Sequence, residues 1–340
     1  MSKPEVGIVA KEAKATEPKG HHYVPAMYLR GFTGAKDQLF SIDRPSEKWF
    51  RTAPDNVAKK KNFNRIEVEG MDPNAVEKVL SEFEGEVAPA LERIKAAKSL
   101  AVEADRSLLV NFMAAVALRN PRRRTDLGKI ISLAKRKDFA DRFGTKEKFE
   151  VTVAKMKADG AWNEKAAVTF EDMQAPPEEI FETSKEEMII AEIDHHDHLT
   201  EQLWNRKWQM LVAADDSGGF VTTDDPVCLR WSDGEAHGGL SPGFAVPRTE
   251  VIFPLSTKLA LKGTFEGEEN VVDADAATVG QLNSLIISNA ENQVYAHDHS
   301  FKFLREEPAE LGSGATLLQD KRFLAAGRPK EEKVVALRGK

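Results

Sequence analysis

The chain has 340 residues, of which 41% are hydrophobic and 30% charged, as is ordinary for a globular protein of one or two domains. Its net charge of −7 argues against a global attraction to nucleic acid, although a local basic patch remains compatible with it. No window approaches the roughly 18 unbroken apolar residues of a membrane span, and the N-terminus lacks the apolar core of a signal peptide. Cys228 has no second cysteine with which to form a disulfide. We therefore expect a cytoplasmic protein without membrane contact.

Both ends of the chain read as solvated segments around a folded part. Residues 1–19 and 326–340 mix charged residues with Ala and Pro without periodicity, which predicts flexible tails. Residues 20–325 then form one large α+β domain, or two intimately packed lobes. The chain carries neither a GxGxxG nor a GxxxxGK[ST] motif, so Rossmann and P-loop nucleotide folds have no sequence support.

The first elements of the folded part are predicted to be strands. LFSID at 39–43 and FNRIEV at 63–68 alternate apolar with polar side chains, which is typical of short strands. Trp49, Pro54 and the lysines at 59–61 are assigned to the connection between them.

A helical pattern starts after Asp72, which we expect to cap a long helix from Pro73. Its apolar stripe has the spacing of one helix face: Val76, Leu80, Phe83, Val87, Leu91 and Ile94. A second helix is predicted at 104–119, and its stripe ends on Arg119. Because an unpaired guanidinium on an apolar face would cost several kcal/mol, Arg119 is predicted to be buried and paired with Glu84.

Helices continue to the middle of the chain, and strands dominate after it. Residues 122–160 predict one or two exposed helices, and residues 178–211 a helix broken at most once. The remaining predicted elements are strands at 220–223, 227–231, 250–256, 258–265 and 293–297, with a helix at 274–291. The order indicates an α+β fold with a helix-dominated middle and short antiparallel strands contributed by the N-terminal and C-terminal parts.

The stretch HHYVPAMYLRGF places His22 three residues before Pro25 on a stiff, non-helical backbone. An imidazole held in this way suits a general acid, a general base or a metal ligand, with Arg30 and Tyr28 close by to bind substrate. A capping histidine beside core aromatic residues is an equally good interpretation.

The segment Thr222-Thr223-Asp224-Asp225-Pro226 puts carboxylates at the end of a strand, where groups that bind metal or activate water are common. Adjacent residues on extended backbone point in different directions, so only one aspartate is expected to face a given site. Turn formation alone also explains the pattern.

Four arginines in the six residues 119–124 could hold phosphate groups through bidentate hydrogen bonds. A solvated basic turn is the commoner outcome of such a run. Glu84, at the edge of the first stripe, is a further candidate acid that can reach Arg119.

Two histidines at helical spacing, His195 and His198, are weak candidates for a metal site. They have no third ligand at a proven spacing, and an exposed polar helix face is the usual fate of such a cluster. Cys228 lies in an apolar strand and is expected to be a core residue rather than a nucleophile.

Several of these segments together resemble a bacterial family known only as domain of unknown function 4238. The likeness spans about residues 21–297, and Thr223 stands where the family more often has Ser. The matching residues are His22-Tyr23-Val24-Pro25, Tyr28-Leu29-Arg30, Phe32, Arg119, Pro121, Trp208, Thr222 to Pro226, and Pro254-Leu255. The resemblance implies one folded unit and supplies no reaction.

Two functions of different classes fit these residues. The first is a phosphodiester hydrolase, such as a nuclease or nucleotide-processing enzyme, with His22 as acid or base, Asp224 positioning a divalent metal ion or water, and Arg30 and Arg119 holding phosphate. A nucleic-acid partner would then use the basic residues at 59–61 and 119–124. The second is a binding or regulatory protein, in which the same residues form a structural polar network.

Overall fold

The computed structural model describes residues 20–163, 168–234, 237–305 and 310–324, and the predicted tails at 1–19 and 326–340 lie outside these residues. The described helices are α1 (Ala26–Leu29), α2 (Ala75–Ala97), α3 (Glu103–Leu118), α4 (Pro121–Phe143), α5 (Lys146–Ala158), α6 (Lys185–Trp204), α7 (Ala276–Asn289) and α8 (Lys321–Leu324). Short 3-10 turns connect several of them.

The strands described lie mainly at the two ends of the chain. They are β1 (Gly20–His22), β2 (Leu39–Asp43), β3 (Lys48–Thr52), β4 (Lys59–Lys61), β5 (Lys207–Ala213), β6 (Thr222–Thr223), β7 (Cys228–Trp231), β8 (Thr249–Pro254), β9 (Leu259–Thr264), β10 (Val271–Ala274), β11 (Gln293–Ala296), β12 (Lys302–Leu304) and β13 (Leu311–Ser313). The fold is α+β, as the sequence predicts.

One sheet combines strands from both ends of the chain. Its order is β3-β2-β11-β6, with β11 antiparallel to both β2 and β6. A second sheet has the order β10-β5-β9-β8-β7, and only the β10–β5 pair in it is parallel. The pairs β1–β4 and β12–β13 are small antiparallel ribbons. Pairing of β2 with β11 therefore ties the N-terminal part to the C-terminal part.

Apolar side chains form two buried clusters. The larger joins the segment after β1 to α2, α3 and the inner face of the five-stranded sheet, with Tyr28, Phe112 and Phe253 in ring contact. The smaller surrounds α7. Cys228 belongs to this smaller cluster and is buried, as predicted.

The two long predicted helices are confirmed with small changes at their ends. Asn74, not Asp72, immediately precedes α2, and the Asp72 carboxylate accepts a hydrogen bond from the Asn74 backbone N–H at 2.9 Å. Helix α3 ends at Leu118, so Arg119 is its C-terminal flanking residue. The exposed region after it forms two helices, α4 and α5.

Other local predictions are wrong. Residues 63–68 form no strand, whereas Lys48–Thr52 and Lys59–Lys61, assigned to a connection, form β3 and β4. The helix predicted over 178–211 begins at Lys185 and ends at Trp204, because the following residues pair with β9 and β10. Among the described residues, no helix has the length and apolar character needed to cross a membrane.

Candidate functional site

His22 lies at the end of β1, opposite Lys59 of β4. Burial lowers the pKa of His22, and Lys59 lowers it further, while Asp55 and Glu77 oppose the shift. The imidazole is therefore neutral at pH 7. Its Nε2 is buried and has no hydrogen-bond partner among the described residues.

Arg30 is exposed and lies 3.5 Å from the carboxylate of Asp55. Lys59 donates a hydrogen bond to the backbone carbonyl of Asp55 at 2.7 Å. The structure thus brings the predicted residues His22 and Arg30 together around Asp55, with Lys59 as a second cation.

Tyr28 is fully buried, and its hydroxyl is saturated. It lies 2.8 Å from the Thr222 hydroxyl and donates to the backbone carbonyl of Pro254 at 2.8 Å. This side chain connects α1 to β6 and β8. Because its hydroxyl is occupied by these contacts within the core, the predicted substrate-binding role has no geometric support.

Asp224 follows β6 and is almost fully buried. Its two carboxylate oxygens accept the backbone N–H groups of Glu291 and Asn292 at 2.9 and 2.8 Å. Burial raises the pKa of Asp224 to about 7, against the effect of these two hydrogen bonds. The carboxylate thus holds the turn before β11, and it shares no partner with His22 among the described residues.

The carboxylate of Asp225 has other partners than that of Asp224 and contacts the arginine run. Arg122 donates a hydrogen bond to its carboxylate, and Arg123 Nε lies 3.9 Å from the other oxygen. Asn120 caps α4 and donates to the Asp224 carbonyl at 2.9 Å. The arginine run is therefore anchored against the segment after β6 rather than exposed as a free phosphate-binding turn.

Arg119 is buried, with 6% of its surface exposed. Its Nε donates to the Ala115 carbonyl at 3.3 Å, and one terminal nitrogen lies 3.9 Å from Glu84 Oε1. The predicted burial and the predicted pairing with Glu84 are both confirmed. Burial raises the pKa of Glu84, and Arg119 opposes that shift.

The terminal nitrogens of Arg119 are not saturated. Both are buried, and neither makes a hydrogen bond within the described chain. Buried donors without acceptors are rare in proteins and are costly, so the burial of Arg119 depends on its ion pair with Glu84.

Arg119 lines a pocket of about 400 Å³ between α2, α3 and α6, here named the Arg119 pocket. Its lining consists of Asn64, Val76, Val79, Leu80, Phe83, Asn111, Ala115, Leu118, Arg119, Arg124, Ile189, Glu192, Ile193, His196 and Asp197. Val79 and Ile193 are 64% and 60% exposed and form its mouth, whereas Arg119 and Ala115 are buried at its floor. The size is within the range of roughly 300–1,000 Å³ that small-molecule sites occupy.

A buried ion pair closes one side of the Arg119 pocket. Arg124 donates to both carboxylate oxygens of Glu192 at 2.5 and 2.7 Å. It also donates to the Phe63 carbonyl and to the Asn64 side chain. Every nitrogen of Arg124 is therefore occupied, in contrast to those of Arg119.

His21, and not only His22, is tied to the wall of this pocket. The Asn64 backbone N–H donates to His21 Nδ1 at 3.0 Å, and the Asn64 side chain donates to Glu77 at 2.8 Å. Glu77 also acts electrostatically on His22 and on Arg119. Glu77 therefore interacts electrostatically with three of the predicted residues: His22, Arg119 and Glu84.

The histidines predicted as weak metal candidates lie on the exposed face of α6. His195 Nδ1 is 2.7 Å from the Ala191 carbonyl of its own helix, and His198 is exposed. No group of three or more His, Cys, Asp or Glu side chains in the described part of the chain is arranged to hold a metal ion. His196, which lies between them in sequence, instead turns toward α3 and lines the Arg119 pocket.

Sequence reasoning missed Glu192 and the burial of Arg124, which it assigned to a basic run at 119–124. Glu192 follows the buried Ile189 by three residues and precedes the buried Leu199 by seven, so all three share one helix face. A carboxylate on such a face predicts a buried cationic partner. That signal was available in the sequence, although it does not identify the partner as Arg124.

Comparison with known proteins identifies a family for this chain but does not indicate an activity. No curated protein and no solved structure matches the chain. The model of a family described as protein of unknown function, DUF4238, matches residues 20–300, which include the Arg119 pocket and the segment after β6. The chain therefore belongs to the DUF4238 family.

Proposed function

We propose that this protein binds a small, mainly apolar molecule in the Arg119 pocket. The pocket has apolar walls, an accessible mouth and a few polar side chains, among them Asn111 and His196. Sites for small molecules typically combine these features.

The observation that carries the proposal is the make-up of the cavity between α2, α3 and α6. Leu80, Phe83 and Ile189 line a volume of about 400 Å³, and Ile193 at its mouth is exposed. The terminal nitrogens of Arg119 have almost no accessible surface, so the ligand would be held by apolar contact rather than by this guanidinium. Burial of apolar ligand surface against such walls contributes roughly 25 cal/mol per Å².

The proposal is tested with the fluorescent amphipathic anion 1-anilinonaphthalene-8-sulfonate and the folded full-length chain. We expect saturable binding of one dye per chain. Ile193→Asp, which adds a negative charge at the mouth, should weaken it at least tenfold. Ile130→Asp is the matched control, since Ile130 is 62% exposed on α4 and does not line the pocket. Equal binding by both variants would contradict the proposal.

Phosphodiester hydrolysis is the second candidate function. The observation that favours it is the neutral His22 imidazole beside Arg30 and Lys59, two cations suited to hold a phosphate. A nucleotide or nucleic acid would meet Lys59–Lys61, which are exposed on β4. Asp224 gives this candidate no support as a metal or water ligand, because both of its oxygens are taken by backbone N–H groups.

The second candidate predicts turnover of bis(p-nitrophenyl) phosphate, measured with and without Mg²⁺ or Mn²⁺. His22→Ala should reduce the rate by roughly a hundredfold to ten-thousandfold, the usual effect of losing a general acid or base. His195→Ala, a histidine on an exposed face, is the control. Absence of turnover under all conditions, or equal rates in the two variants, would exclude this function.

A cytoplasmic location is part of the proposal. The chain has a single cysteine, which is buried, so it forms no internal disulfide. The stability of the protein therefore does not depend on an oxidising compartment. Fractionation of source cells with an antibody against the protein tests this placement, and recovery from a membrane or secreted fraction would contradict it.

A further inference from the structure

The outer edge of β3 is an interaction surface, and we infer that it pairs with the same edge of a second copy of this chain to form a reversible dimer. No residue of β3 lines the Arg119 pocket, so this surface is separate from the proposed binding site. Three features of β3 support the dimer: its position in the sheet, its exposed aromatic residues and the distribution of its charges.

β3 is an edge strand of the four-stranded sheet. It pairs with β2 over its full length, from Lys48 to Thr52, and no other described strand pairs with it. Among the described residues, no backbone hydrogen bond joins its outer edge to another segment. Such an edge presents backbone N–H and C=O groups that the strand of a second chain can satisfy.

β3 has exposed aromatic side chains at an edge, where natural sheets more often place charges or proline. Trp49 is 60% exposed and Phe50 is 36% exposed, and as neighbours on a strand they lie on opposite faces of the sheet. On one face Trp49 packs against Phe40 of β2, with ring centroids 5.4 Å apart, and Arg51 lies over the same ring at 5.9 Å. A second strand at this edge would therefore cover apolar surface on both faces.

The strand is complementary to itself about a two-fold axis at Phe50. Antiparallel pairing about this axis places Phe50 opposite its own equivalent and Trp49 opposite Arg51 of the second copy, so the latter contact occurs twice. Aromatic pairs and cation–π pairs across neighbouring strands are both stabilising. Lys48 lies opposite Thr52, so this pairing brings no two like charges face to face.

Other registers of the same pairing are less favourable. In a two-fold antiparallel pair the register shifts in steps of two residues, because the side chains must keep their faces. A shift in one direction sets Arg51 against Arg51 of the second copy. A shift in the other direction places Arg51 opposite Glu47, which has a φ of 53° and belongs to the turn before β3. Pairing centred on Phe50 is thus the register that uses all five residues of the strand.

The size of the surface predicts a reversible association. Five residues from each copy are far fewer than the roughly 20–30 residues a side of a stable, specific interface. Sedimentation velocity of the full-length chain, over about a hundredfold range of concentration, should show the weight-average mass rising from one chain toward two. The mass of a single chain at every concentration would overturn the inference and leave the edge to a different extended segment.

Substitution at the two-fold axis tests whether β3 forms the interface. Phe50→Lys places two lysines opposite each other and should weaken the dimer by about tenfold or more. Val271→Lys is the matched control, since Val271 is 53% exposed on β10, an edge strand of the five-stranded sheet. Thermal melts establish that both variants fold. A dimer that survives Phe50→Lys, or that Val271→Lys weakens equally, would overturn the inference.

Charge changes at the exposed position 49 test the register without disturbing the core. Relative to Trp49→Gln at low salt, Trp49→Lys should weaken the dimer by about fivefold, because each of its two lysines meets Arg51 of the other copy. Trp49→Glu should strengthen it by a similar factor. Adding Arg51→Glu to Trp49→Lys restores opposite charges and should recover the loss. Equal weakening by Trp49→Lys and Trp49→Glu, or no recovery in the double variant, would overturn the pairing centred on Phe50.

Discussion

Asn120 donates a hydrogen bond from its side chain to the backbone carbonyl of Asp224 at 2.9 Å and caps α4 with its own amide oxygen. One residue therefore joins the start of a helix to the segment after β6, although 104 positions separate the two. The arginine run and the Asp-Asp-Pro turn are two separate candidate sites in the sequence. In the structure they form one junction, most of which is buried.

Asn120→Ala is predicted to lower the free energy of unfolding by about 2–4 kcal/mol. Loss of a helix cap typically costs about 1 kcal/mol, and an unsatisfied buried carbonyl adds about 1–3 kcal/mol. Urea unfolding measures the change. Thr145→Ala, which removes the exposed cap of α5 and no cross-link, should cost only about 1 kcal/mol. Equal losses in the two variants would mean that the contact with Asp224 contributes nothing.

Arg122→Ala is predicted to destabilise the protein by about 3–5 kcal/mol, because it leaves the fully buried Asp225 carboxylate without its main cationic partner. Arg136→Ala breaks the ion pair with Glu178 on the surface and should leave stability nearly unchanged, because water screens exposed charges. Chemical denaturation of both variants tests the contrast. A small effect of Arg122→Ala would indicate that water or Arg123 replaces the lost partner.

His22→Ala is predicted to cost only about 1 kcal/mol, since the imidazole loses one hydrogen bond with the Asp55 backbone while its Nε2 makes none among the described residues. Tyr28→Ala should cost about 3–5 kcal/mol, because it removes a buried aromatic ring. Tyr28→Phe, which keeps the ring and loses the hydroxyl contacts with Thr222 and Pro254, should cost about 1–2 kcal/mol. Thermal melts at neutral pH rank the three variants, and a His22→Ala melt as low as that of Tyr28→Ala would assign His22 a structural role.

The pH dependence of stability should carry the signature of Asp224. Its pKa in the folded protein is about 7, against 3.8 as the ordinary value, so the folded state retains a proton that the unfolded state has lost between these limits. The contribution of this group to stability is therefore full below pH 4 and is lost as the pH rises through 7. Relative to Asp224→Asn, the wild type should lose a few kcal/mol between pH 4 and pH 7. Parallel pH profiles of the two proteins would argue against the raised pKa.

The sequence alone determined the helices whose apolar residues repeat every three or four positions. The stripe from Val76 to Ile94 predicts α2, and the stripe that ends on Arg119 predicts α3, because helical hydrogen bonds and side-chain spacing are local. The burial of Arg119 and its pairing with Glu84 also followed from this spacing. A cation on an apolar face has few alternatives that avoid the cost of burial.

Tertiary structure decided what depends on distant partners. Lys59–Lys61 form a strand because β1 pairs with them, and residues 207–213 form β5 rather than a helix extension because β9 and β10 flank them. Neither partner is visible in the local pattern. The same holds for the site. The Asp224 carboxylate accepts hydrogen bonds from backbone N–H groups that are 67 and 68 positions away in the sequence. The Arg119 pocket forms where α2, α3 and α6 pack together. Strand pairing and cavity formation depend on contacts across long sequence separations, and local periodicity does not encode which segments will meet.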